Sequence, residues 1–189
     1  MAVQHGILTA ALLTLLAPSL VSGQDLAWHN DFRFYGDNTE FFSFFREGET
    51  LLGGQFRSYA RFETTKNTEV FLGVFGDQRN GSDKFLETVK PIVSFRYRTP
   101  NSLGVLGTLE TVDRHGLLEP LQVTTLEITR PIEYGLQWIE RRENLDAEAF
   151  INWQGLETDA NREIFDYGIV LRVRPLDHLS VEFQGHGTH

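Results

Sequence analysis

From Gln24 onward the chain alternates apolar and polar residues with a period of two and shows almost no 3.6-residue repeat. That pattern suits strands that bury or shield one face, and it excludes an architecture built on amphipathic helices. Nine segments carry it: 26–35, 50–63, 68–76, 87–98, 102–110, 132–141, 145–154, 164–174 and 178–187. The connections between them are as informative as the strands. Long ones (36–49, 77–86, 111–131 and 155–163) alternate with tight turns at 64–67, 99–101, 142–144 and 175–177. Outer-membrane barrels have this asymmetry, with short turns on the periplasmic side and long loops outside. Greek-key sandwiches have no reason to alternate so regularly. The parity depends on reading Val123–Thr129 (VTTLEIT) as part of a loop and not as a strand.

Each strand has a greasy and a polar face. In 50–63, Leu52, Phe56, Ala60 and Phe62 alternate with Gln55, Arg57, Tyr59, Arg61 and Glu63. In 145–154, Ala147, Ala149, Ile151 and Trp153 alternate with Asp146, Glu148, Phe150, Asn152 and Gln154. A one-residue slip would exchange the two faces, so the pairing register is strongly specified. Periodicity alone does not say whether the apolar face meets lipid or a protein core, and a soluble β-sandwich is the alternative fold. Two features favour lipid. Trp28, Phe62, Tyr97 and Trp138 sit toward one end of the strands, and Phe34, Trp153 and Phe165 toward the other, as in the aromatic girdles of membrane barrels. Segment lengths also match the roughly 9 to 11 residues of a tilted bilayer crossing. The expected fold is therefore an all-β, antiparallel up-and-down transmembrane β-barrel. Pro91 is out of place in it, because proline removes a ladder hydrogen bond.

The N-terminus supports export. Gly6–Pro18 is an apolar stretch too short to span a bilayer, and Val21-Ser22-Gly23 supplies small residues for cleavage. Residues 1–23 read as a signal peptide, although Met1–His5 carries no Lys or Arg, and residues 24–189 as the barrel domain. The final Gly187-Thr188-His189 lacks the terminal aromatic of a barrel's last strand, and nine is an odd count, so the reading expects further strands. A formal charge of −9 excludes a nucleic-acid partner held by clustered cations, and the absence of cysteine excludes disulfides and thiolate metal sites.

The stretch His115-Gly116-Leu117-Leu118-Glu119-Pro120, followed by Arg130-Pro131-Ile132-Glu133-Tyr134-Gly135-Leu136-Gln137, resembles uncharacterised bacterial outer-membrane, porin-like β-barrel proteins over residues 36–189. The resemblance implies a cell-surface location and assigns no catalytic residues.

Two groups of residues are candidates for a site. Arg57, Arg61, Lys90, Arg96, Arg98, Arg172 and Arg174 share the polar face and are pore-lining candidates, as in anion channels. The plainer reading pairs them with Glu63, Asp146, Glu148 and Asp166. In the longest loop, Asp113, Arg114, His115 and Glu119 place a base, a cation and two carboxylates within seven residues. They are candidates for recognition or constriction. As chemistry, His115 would move protons with Asp113 or Glu119 orienting it. Asp77–Asp83 has the composition of a calcium loop without its spacing, and Phe41, Phe42, Phe44 and Phe45 form an aromatic cluster suited to packing on the rim.

The functional expectation is a porin-like barrel with a passive transport or surface role. It is not an enzyme, needs no metal or cofactor, and is partnered by outer-membrane lipid and small solutes. The alternatives are a secreted carbohydrate-binding β-sandwich and an outer-membrane hydrolase working through His115.

Overall fold

The computed structural model describes residues 25–39, 48–118, 120–122, 125–159 and 161–189. The expected signal peptide and the aromatic cluster at 41–45 lie outside them. Among the described residues the nine expected strands are all present: β1 (Leu26–Thr39), β2 (Glu49–Thr65), β3 (Thr68–Arg79), β4 (Thr88–Arg98), β5 (Ser102–Thr108), β6 (Tyr134–Arg142), β7 (Leu145–Gly155), β8 (Ile164–Leu176) and β9 (Leu179–Thr188). They form one antiparallel meander in the order β1 to β9, each strand bonded to its sequence neighbours. Among the described residues there is no second sheet for this one to pack against, so they do not form the sandwich alternative. Nor is the sheet closed, since β1 and β9 are its two edges.

Sequence alternation fixes the register. Leu26 faces Phe62, Trp28 faces Ala60 and Phe32 faces Phe56 across β1 and β2. Leu72 faces Val93, Leu106 faces Leu136 and Ile151 faces Tyr167 further along. These pairs lie on one continuous apolar face, and that face is the exposed one: Phe34 is 90% exposed, Phe32 73% and Trp28 66%. The opposite face buries Gln55, Asp77, Ser94, Gln137, Asn152 and Asp166. Globular proteins put apolar residues inside and rarely bury so many polar ones. This sheet has the opposite arrangement.

Pro91 is accommodated by the length of β5. The β4–β5 ladder begins at Ser94 and Gly107, beyond Pro91. The proline's missing donor therefore falls where no partner strand runs, and its carbonyl accepts the Tyr134 hydroxyl at 2.7 Å.

The connection from Leu109 to Glu133 does not project outward but crosses the polar face. Its N-terminal part packs Leu109 and Leu117 against Leu103, Val105, Phe150 and Val170. Its C-terminal part packs Ile132 against Phe71, Phe75 and Ile92. Apolar residues on the otherwise polar face, such as Ile92 and Phe150, are thus the seats of this segment. Hydrogen bonds fasten it to both halves of the sheet: Gln55 of β2 donates to Ile128 O at 2.8 Å, and Leu118 N donates to Gln184 of β9 at 2.8 Å. Within it Leu126–Thr129 is a single helical turn, α1. The described part of VTTLEIT is therefore not a strand, and the alternation of long and short connections holds.

Candidate functional site

The site is built where the crossing segment meets β6 and β7. Asp113, Arg114 and His115 have φ of 48°, 52° and 62°, and Gly116 follows at 69°. Three consecutive non-glycine residues in the left-handed region cost roughly 1 to 2 kcal/mol each. Such strain persists only where the surroundings impose it. Here the turn is pinned by Arg114 N donating to Thr111 O at 3.1 Å and Leu117 N donating to Arg114 O at 3.2 Å.

The turn drives the His115 ring into the sheet. The residue is 2% exposed and its ring stacks on Phe150 at 3.8 Å and 14°. Phe150 in turn lies over Gly168 on β8, where a Cβ would come within 2.5 Å of the ring. Glycine at that position lets Phe150 sit low enough to leave room for the imidazole. Nδ1 of His115 lies 2.6 Å from Glu148 Oε1 and Nε2 lies 3.0 Å from Glu133 Oε2. Gln137 fixes the Glu148 carboxylate, donating to Oε1 at 2.7 Å while its own oxygen accepts Glu110 N at 2.8 Å. Burial by itself would depress the His115 pKa. Hydrogen bonds and charge from Glu133 and Glu148 overcome this and raise it to about 8.

Two cavities adjoin the clamp, one at each carboxylate. On the Glu133 side is a groove of about 260 Å³ whose walls include Asp31, Arg33, Arg57, Asp113, Arg114 and Arg130. On the Glu148 side a second cavity of about 260 Å³ is lined by His115 itself with Asp146, Arg141 and Arg172.

Of the loop candidates, Asp113, Arg114 and His115 are brought together here, and Glu119 lies outside the described residues. The partners of His115 are Glu133 and Glu148, from positions 18 and 33 residues further on, where the sequence suggested Asp113 or Glu119. Glu148 was visible as a carboxylate on the polar face, but nothing local in the sequence links it to His115. Glu133 and Gln137 lie in the stretch that carries the resemblance, which gave them no role.

The seven basic candidates share the polar face without forming one ring. Arg57 borders the groove and donates to Pro131 O at 3.2 Å. Lys90 donates to Ile132 O at 3.4 Å. Arg96 pairs with Glu110 and lies 3.8 Å over the Phe71 ring. Arg61 pairs with Glu63, and Arg61 and Arg98 each lie 3.8 Å from Glu69. Arg172 binds Glu182 at 2.6 Å and Arg174 pairs with Asp146.

The described residues are thus an all-β antiparallel sheet with a carboxylate-clamped histidine buried on its polar face. The sequence comparison specifies the family. The chain belongs to the lipid A 3'-O-deacylase-type family, whose model matches residues 21–189. No curated protein matches it. The family's name ties it to lipid A, an outer-membrane lipid, in keeping with the expected envelope association. Membership overturns the porin-like resemblance, the passive transport role and the reading of the chain as a non-enzyme, because the family is one of hydrolases and not of pores. The structure supplies a physical reason for the misreading: the face taken for a channel wall is crossed by the 109–133 segment, and its cations make internal contacts.

Proposed function

We propose that the chain is an outer-membrane hydrolase that releases an ester-linked acyl chain from a lipid A-type saccharolipid, with His115 as its general base. The clamp of His115 between Glu133 and Glu148, in a chain of this family, carries the reading. The shorter bond, to Glu148, orients the ring as the acid of a catalytic triad does. The longer one, to Glu133, faces the groove. Substrate entering the groove displaces Glu133 and frees Nε2. Neutral His115 then takes a proton from the attacking water as its oxygen bonds to the acyl carbon. It returns that proton to the sugar oxygen as the ester C–O bond breaks, giving a fatty acid and a sugar hydroxyl.

Arg57, Arg114 and Arg130 give the groove cations for a phosphorylated sugar head. The exposed apolar face of the sheet suits the acyl region of a bilayer, and the meander is read as wall of a membrane barrel.

The test is to incubate the chain, folded in detergent micelles, with lipid A and to follow loss of one acyl chain by mass spectrometry. The rate is expected to rise with pH through about 8, where His115 loses its proton. His115→Ala should lower turnover by about 10²-fold or more with the strand content unchanged. Acyl release that is indifferent to His115→Ala would overturn the assignment of the base.

A further inference from the structure

Gln184 lies on β9, opposite Val170 of β8, 68 residues beyond the left-handed turn. Its carboxamide engages that turn with both ends. Nε2 donates to Gly116 O at 3.1 Å, and Oε1 accepts Leu118 N at 2.8 Å. The two backbone groups flank the end of the strained turn, directly after His115. Gln184 is itself held, because Nε2 also donates to Glu182, whose carboxylate accepts Arg172 Nε at 2.6 Å. Val170, across the ladder, packs with Leu117 and Phe150, so β8 and β9 support the turn through the apolar cluster as well.

A left-handed run of three non-glycine residues is a high-energy local choice and relaxes unless tertiary contacts hold it. The contacts before His115 are local, between Arg114 and Thr111. After it, beside the local bond from Leu117 N to Arg114 O and the packing of Leu117, two long-range hydrogen bonds reach the turn from Gln184. We infer that Gln184 is a positioning residue for His115: it locks the turn so that both ring nitrogens stay on their carboxylates. The ninth strand, which contributes nothing to the clamp directly, is thereby part of the site.

The inference deepens the hydrolase reading but has a readout that does not depend on it. The groups around the ring are Glu133, Gln137 and Glu148 on the β6–β7 side and Asp113 and Arg114 on its own turn. Asp146, Arg141 and Arg172 line the adjoining cavity. If the turn relaxes, the ring leaves the two carboxylates and its proton affinity drops. In a histidine-labelled chain in micelles, with the His115 resonance assigned by its loss in His115→Gln, NMR should give a titration midpoint of about 8. Gln184→Leu, similar in size but unable to hydrogen-bond, should bring the midpoint down toward about 6.5, the ordinary histidine value.

Gln184→Glu keeps the acceptor for Leu118 N and loses the donor to Gly116 O, so an intermediate midpoint is expected. It also serves if the leucine variant does not fold. In the acyl-release assay Gln184→Leu should lower kcat tenfold or more with KM within about twofold. A midpoint that stays at its wild-type value in the folded variants overturns the positioning role. A midpoint that falls in a chain with no acyl-releasing activity would sustain the positioning role and overturn the hydrolase reading.

Discussion

At the scale of single residues, the behaviour of His115 sets a pH dependence whose sign follows from its surroundings. Its folded-state pKa of about 8 exceeds the ordinary 6.5. The imidazolium is therefore bound more tightly in the folded chain, and protonation stabilises the fold. That contribution is fully present below about pH 6.5 and is lost as pH rises through about 8. Its size is about 2 kcal/mol. Thermal unfolding in micelles should move to lower temperature by a few degrees between pH 6.5 and 9. His115→Gln should remove that dependence, and a variant with an unchanged pH response would show that the clamp does not control it. On the hydrolase reading, the clamp gives most stability where the proposed base is protonated and least where it is free to accept a proton. His115 was legible in the sequence because a base, a cation and carboxylates cluster around it. Its true partners were not, because Glu133 at the end of the crossing segment and Glu148 on β7 come to it through tertiary folding and not through adjacency.

At the scale of elements, the strands were readable and the crossing segment was not. All nine strands follow from alternation and from turn residues such as Lys66-Asn67 and Asn144. The observed ends differ by a few residues, with β1 running on to Thr39 and β5 stopping at Thr108. The path of residues 109–133 depends on contacts such as Gln55 to Ile128 and Gln184 to Gly116, across 73 and 68 residues. No local pattern encodes these. The left-handed turn was equally hidden, since Asp113-Arg114-His115 has no composition that demands it. It does allow a clean test of backbone strain. Gly116 has φ of 69° and nothing within 4 Å of where a Cβ would stand. Gly116→Ala meets no clash, so its effect reports conformation alone. It should cost about 1 kcal/mol in equilibrium unfolding. A neutral result would mean that the turn has an alternative, relaxed geometry.

At the scale of the whole molecule, the apolar face of the sheet is the exposed one and the polar face is covered by the 109–133 segment, a distinction that periodicity had left open. Leu72, at 39% exposure near the middle of β3, is a fitting probe. In water, arginine at such a position would be nearly neutral. In a bilayer it should cost about 2 to 4 kcal/mol near the midplane. Unfolding of Leu72→Arg from lipid vesicles, compared with wild type, distinguishes the two settings. Insensitivity there would argue against this face meeting lipid.

The crossing segment is fastened near the first edge of the sheet through Gln55 and at the last strand through Gln184. Its geometry therefore depends on parts of the chain that emerge far apart during synthesis. Until β9 has joined the sheet, the turn lacks both Gln184 hydrogen bonds and keeps only its local bonds and its contacts with the earlier strands. On the hydrolase reading, full activity then waits on the last strand, and a newly made copy that has not completed its sheet is restrained toward lipid.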